Sequence, residues 1–114
     1  MEGQVNAVQQ EAATESGVRV ICPVTALVAN SGVAALVDDV ALAIFYLPNE
    51  TPSVYAIANY DPFSQAGVLS RGIVGDQEGE LVVASPVYKQ HFSLKTGRCL
   101  EDASVQVAVY PVSI

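Results

Sequence analysis

Few of the 114 residues are of types that do chemistry, and their number limits what they can build. His91 is the single histidine, and Cys22 and Cys99 are the two cysteines. One imidazole cannot make a two-histidine metal site within a chain, and two thiols cannot make a four-thiolate cluster. With no histidine partner and no Cys-x-x-Cys spacing, His91 reads as a structural or rim residue. The cysteines read as reduced, small hydrophobes. Two proline turns, Asp61-Pro62-Phe63 and Ser85-Pro86-Val87-Tyr88, flank a short β-type run. Asp61 and Ser85 are residues whose side chains bond nearby backbone N–H groups in turns. No Ser–His–acid order can be argued from Ser85 and one distant histidine, so nucleophilic catalysis finds no support. Gly72, Gly75 and Gly79 surround Asp76, Glu78 and Glu80. Their spacing fits no phosphate loop and the acids would repel phosphate, so Ile73 to Glu80 reads as a surface turn.

The order of features from Asn59 to Cys99 resembles the frame of a Rieske-type iron–sulfur domain. In that frame the first turn is Cys-x-His, the second is Cys-Pro-x-His, and an aromatic turn with a Thr-Gly tail follows. The four ligand positions here hold Asp61, Phe63, Ser85 and Tyr88. A Rieske cluster takes two thiolates on one iron and two imidazoles on the other. Phe63 has no lone pair to offer, Ser85 is a neutral hydroxyl at pH 7, and a tyrosine titrates near about pH 10. The frame is kept and the ligands are not.

Four stretches in order carry a closer resemblance: V-Y-A-I-A-N-Y-D-P-F at Val54–Phe63, V-L-S-R-G at Val68–Gly72, L-V-V-A-S-P at Leu81–Pro86, and K-Q-H-F-S-L-K-T-G-R-C-L-E-D at Lys89–Asp102. From about Val20 to Val109 the chain is similar to the small subunits of assimilatory NAD(P)H-dependent nitrite reductase. That resemblance implies an all-β fold, a Rieske-like antiparallel sandwich or barrel with a smaller former cluster-binding subdomain at about residues 59–94. It implies no catalytic residue, no metal and no cofactor in this chain. It implies a large catalytic subunit as partner, carrying FAD, a [4Fe–4S] cluster and sirohaem and reducing nitrite to ammonium in the cytoplasm. In Rieske proteins the tip bearing the ligand loops docks on partners, which makes Asp61, Pro62, Phe63, Arg71, Ser85, Pro86, Tyr88 and Lys89 the expected contact region. Packing of Phe63 on Tyr88 is expected to fill the former cluster pocket and tie the loops. A Rieske-type electron carrier and a stand-alone binding module are the competing functions.

The elements that must position these loops follow from hydrophobic runs and turn residues. Residues 1–16 are polar and acidic and read as a mobile tail, with an amphipathic helix over Val5–Ala13 as the alternative; residues 17–114 form the domain. Residues 1–16 show neither the basic nor the apolar region of a secretory signal. Strands are expected at Val18–Cys22, Val33–Val37, Val40–Leu47, Ser53–Ala58, Leu81–Ala84, Gln90–Leu94 and Val105–Val109, with Asp38-Asp39 and Pro48–Pro52 as turns and a turn or short helical segment at Ala66–Arg71. No stretch reaches the roughly 18 apolar residues of a membrane span. A closing hairpin usual in related domains has no counterpart before Ile114, so an unpaired edge is expected. The net charge of −7 argues against nucleic acid and anionic membranes as partners. Four of the five basic residues, Arg71, Lys89, Lys95 and Arg98, fall in or beside the central stretch, where they form either scattered solvated charges or a partner-facing patch.

Overall fold

The computed structural model describes residues 4–8 and 18–114, and side chains from residue 21 onward. Ten strands in three antiparallel sheets, with no α-helix among the described residues, realise the all-β expectation. In the first sheet β1 (Gln4–Val8) lies between β2 (Val18–Pro23) and β10 (Val112–Ser113). The expected mobile tail, or helix from Val5, is therefore corrected for Gln4–Val8. Its backbone groups find ladder partners on both sides, which no free tail or isolated helix offers. Residues 9–17, with the domain boundary, lie outside the described residues.

The second sheet has the order β3 (Ser31–Val37), β4 (Val40–Tyr46), β5 (Val54–Ala58), β9 (Val109–Tyr110). Val37 pairs with Val40 across Asp38 and Asp39, both at positive φ (51° and 68°), the hallmark of a two-residue hairpin matched to strand twist. This sheet is covered on both faces, which is why β4 reads as an unbroken apolar run instead of alternating. Leu42, Ile44, Val54 and Ala56 face one cluster with Ile21, Leu27 and Val112. Ala43, Phe45, Tyr55 and Ile57 face the other cluster, with Leu69, Val83, Phe92, Leu94, Cys99 and Val107. Cys99 is buried and Cys22 half-buried, both unpaired thiols, as small hydrophobes would be.

The third sheet joins β6 (Ile73–Gln77), β7 (Glu80–Ala84) and β8 (His91–Ser93). The turn expected from Ile73 to Glu80 is corrected: it narrows to Glu78-Gly79, both at positive φ, and Ile73–Gln77 is a strand paired residue for residue with β7. Val74 opposite Val83 packs on the core, and that burial outweighs the glycines and acids around it. The final strand expected at Val105–Val109 is also corrected. Residues 105–108 run as an irregular segment held by an Arg98–Gln106 bridge and a Val107 N–H to Gly97 carbonyl bond, and the strands fall at Val109–Tyr110 and Val112–Ser113 instead. Pro111, with no N–H to give a ladder, divides them. The outer edge of β5 is thereby taken by β9, and β10 bonds to β1, each of the two being the last strand of its sheet.

Candidate functional site

The two proline loops leave the ends of β5 and β7 and meet. Asn59 roots the first. It is buried, its N–H donates to the Ala41 carbonyl (3.0 Å), its Oδ1 accepts the Ser70 N–H (2.7 Å), and its Nδ2 donates to the Gly67 carbonyl (3.4 Å). Both limbs of the loop are thus tied to one side chain. Gly72 then lets the chain turn back against β7: a Cβ there would collide with the Ala84 carbonyl. This is the short helical segment expected from sequence, a single 3-10 turn at Leu69–Arg71.

The loops share one backbone design. In the first, the Asp61 N–H donates to the Ala66 carbonyl (2.9 Å) and the Gln65 N–H to the Asp61 carbonyl (2.7 Å). In the second, the Ser85 N–H donates to the Gln90 carbonyl (2.9 Å) and the Lys89 N–H to the Ser85 carbonyl (3.1 Å). The fifth residue of each, Gln65 or Lys89, sits at positive φ (60° and 69°). The side chain of each first residue accepts an N–H two positions on: Phe63 N–H to Asp61 Oδ1 at 2.8 Å, Val87 N–H to Ser85 Oγ at 3.3 Å. These are the turn roles their residue types predicted.

A direct bond joins the loops. Ser85 Oγ donates to Asp61 Oδ2 at 2.5 Å, and Ser64 Oγ donates to the same oxygen at 2.9 Å. Asp61 and Ser85 are 0% exposed. Burial pushes the Asp61 carboxyl up, but the bonds from Ser85, Phe63 and Ser64 together outweigh it and hold the group below its ordinary value. A buried carboxylate without a cation is tolerable when its lone pairs are filled in this way.

This donor set does not fit a [2Fe–2S] cluster. Asp61 and Ser85 spend their oxygens on each other and on the loop, and Phe63 packs inward with its ring centroid 6.1 Å from that of Phe92. Among the described residues no three His, Cys, Asp or Glu side chains are grouped to hold a metal ion. The expected Phe63–Tyr88 packing is corrected. Tyr88 is 61% exposed and makes no ring contact among the described residues, while Phe63 pairs with Phe92. The loops are joined by the hydrogen-bonded pair Asp61–Ser85, and the phenol of Tyr88 lies in water.

In and beside the two loops Tyr60 (49%), Pro86, Val87 (44%), Tyr88, Arg71 and Lys89 are exposed, with Pro62 and Phe63 half-buried. Of the eight residues expected to touch a partner, Asp61 and Ser85 are corrected: they lie beneath the surface and support it. Tyr60 and Val87, which sequence reasoning did not choose, are also exposed, each next to a residue it did choose. The four basic residues do not make one patch. Arg71 and Lys89 lie at the loops, whereas Lys95 lines a cleft with Glu50, Asp76, Glu78 and Glu80 near the far turn of the β6–β7 hairpin, and Arg98 lines a neighbouring one with Glu80 and Leu100.

His91 is held by Glu101. Glu101 accepts the His91 N–H at 2.7 Å and lies 2.6 Å from its Nδ1. Burial pushes the Glu101 carboxyl up, but the bonds and charge from His91 outweigh it and lower it. No helix among the described residues is long and apolar enough to cross a membrane.

Two loops in this register on a three-sheet antiparallel frame define a Rieske-like domain without its ligands. Comparison with known proteins agrees: residues 18–114 match the family described as Rieske-like [2Fe-2S] domain. Within that class the chain belongs to the family of nitrite reductase small subunits. It is 43% identical over 94 residues to the nitrite reductase (NADH) small subunit of Escherichia coli K12, covering 82% of this chain and 86% of that one. The solution structure of the E. coli protein NirD superposes with a TM-score of 0.70 at 34% identity, covering 97% of this chain and 87% of that one. That of the nitrite reductase [NAD(P)H] small subunit of Erwinia carotovora gives 0.67 at 46% identity, covering 82% and 72%. Over 94 residues, 82% of the chain, it is 37% identical to a stretch amounting to 10% of the nitrite reductase [NAD(P)H] large subunit of Klebsiella oxytoca.

Proposed function

We propose that this chain is the non-redox accessory subunit of a cytoplasmic assimilatory NAD(P)H-dependent nitrite reductase, and that it binds the large catalytic subunit through the surface over the two proline loops. One observation carries the partner. A domain 37% identical to this chain lies inside a nitrite reductase large subunit, as a tenth of its length. A domain fused in one protein and separate in another is kept because the two parts work in contact. The large subunit would supply FAD, the [4Fe–4S] cluster and sirohaem and carry out nitrite reduction to ammonium. This chain would carry no electron, because its four former ligand positions present a carboxylate, a phenyl ring, a hydroxyl and an exposed phenol. For the contact surface, the support is the exposure of Tyr60, Val87 and Tyr88 side by side in sequence with the two loops, flanked by the cations Arg71 and Lys89. Exposed aromatics and arginine are the residues enriched where proteins bind.

The test is co-purification with a nitrite reductase large subunit from the same organism. The wild-type chain is expected to be retained and to add no visible absorbance to the complex. Val87→Asp with Tyr88→Asp, both at exposed positions, is expected to abolish retention while the isolated chain stays folded. Retention of that double variant at wild-type strength rules out the loop surface; no retention of the wild type rules out the subunit assignment.

A further inference from the structure

The mismatch between frame and ligands leaves a mechanical question: what fixes two long loops relative to each other when no cluster joins them. Each loop is closed within itself by its own pair of backbone bonds, so neither set fixes the distance between loops. The ring pair of Phe63 fastens the first loop to β8 and not to the second loop. Among the described residues the side-chain bond that joins the two loops is Ser85 Oγ to Asp61 Oδ2, made at full burial and 24 residues apart in sequence. The same carboxylate sets the first loop from inside, through Phe63 N–H and the Ser64 hydroxyl, and the same hydroxyl sets the second, through Val87 N–H.

We infer that Asp61 and Ser85 form a positioning pair for the docking surface, a carboxylate–hydroxyl bridge standing where a metal cluster would join the loops and fixing how Tyr60, Val87, Tyr88 and Lys89 are presented to the large subunit. The inference rests on the docking reading above. The chemistry suits the task. A buried charge-assisted hydrogen bond is short and directional, and its partners have no water to exchange with. Neither residue touches the partner. They act through the loops, so their loss is read in two places: in the loops themselves and in the complex.

The experiment uses the whole chain with Ser85→Ala, which deletes the bridge and leaves the volume nearly unchanged, and Asp61→Asn, which keeps the shape and removes the charge. Amide hydrogen exchange at Phe63 and Val87 and affinity for the purified large subunit are measured for each. A control, Val54→Ala in the core cluster on the far face of the middle sheet, is matched to them in urea midpoint. Expected are faster exchange at Phe63 and Val87 and binding weaker by about tenfold or more, equivalent to about 1.4 kcal/mol, while the control binds as wild type and keeps both amides slow. Unchanged exchange in Ser85→Ala overturns the bridge. Faster exchange with wild-type affinity overturns its positioning role, as does equal loss of affinity in the control. If the wild-type chain itself fails to bind, the docking reading and the positioning role fall together, and exchange alone still decides whether the bridge holds the loops.

Discussion

At the scale of the residue, the most consequential group is the Asp61 carboxylate, read from sequence as a turn former at a former ligand position and expected to touch a partner. Asp61→Ala strips the acceptor from Phe63 N–H, Ser64 Oγ and Ser85 Oγ in a site closed to water. Bonds to a charged group are worth roughly 1.5–3 kcal/mol each and are not additive, so the variant is expected to lose about 3 kcal/mol or more in urea unfolding. The pH dependence has a definite sign. The Asp61 carboxyl is lowered in the folded state, so its stabilisation is present above the ordinary aspartate range and is lost as pH falls through the lowered folded value. The difference in stability between wild type and Asp61→Asn is expected to shrink on acidification below about pH 4, near the ordinary aspartate value. Glu101 behaves in the same direction but on a smaller scale. Its side chain is 47% exposed, so Glu101→Gln is expected to cost under about 1 kcal/mol. That difference, too, should fade as acid protonates the carboxyl, which is lowered in the fold.

At the scale of the element, two close approaches decide whether the loops start in the right place. Gly72 lies so near the Ala84 carbonyl that a methyl group cannot be accommodated without moving backbone. Gly72→Ala is expected to separate the start of β6 from the end of β7 and to cost roughly 1–3 kcal/mol, as overpacking does. Proton–proton contacts between Ile73 and Ala84 should weaken in its spectra while those of the β3–β4 hairpin stay. Gly97 combines φ of 77° with an equally close Val107 carbonyl, so its turn is reserved to glycine on both counts. The hairpin at Asp38-Asp39 was legible because two apolar runs bracket a polar pair. The strand at Ile73–Gln77 was not, because glycine and acids speak for a turn and only its partner β7 supplies the burial that overrules them.

At the scale of the molecule, one sheet packed on both faces explains why so small a chain can spare two loops for an exposed surface. The stabilising mass lies in the cluster of Phe45, Ile57, Leu69, Val83 and Phe92, away from Tyr88 and Val87. Phe92→Ala is expected to cost about 3–5 kcal/mol because it empties a fully buried ring site. Tyr88→Ala should shift unfolding by less than about 0.5 kcal/mol, as exposed substitutions do, while weakening the complex. A chain in which both variants unfold alike would mean that the loop surface belongs to the core.

The sequence by itself was enough to show an all-β chain with strand pairs set by turn chemistry, and to deny it a cluster, since one histidine and two cysteines fix the supply of ligands before any folding occurs. It also placed two matching proline turns, because residue type controls local backbone preference. What lay beyond it was every relation between residues distant in the chain. That Asp61 and Ser85, 24 positions apart, would bond each other while Phe63 turned to Phe92 and Tyr88 to solvent follows from how the middle and third sheets pack. Local sequence carries the strength of each preference, but only the packed fold sets which side chains come within the roughly 3 Å at which a hydrogen bond acts.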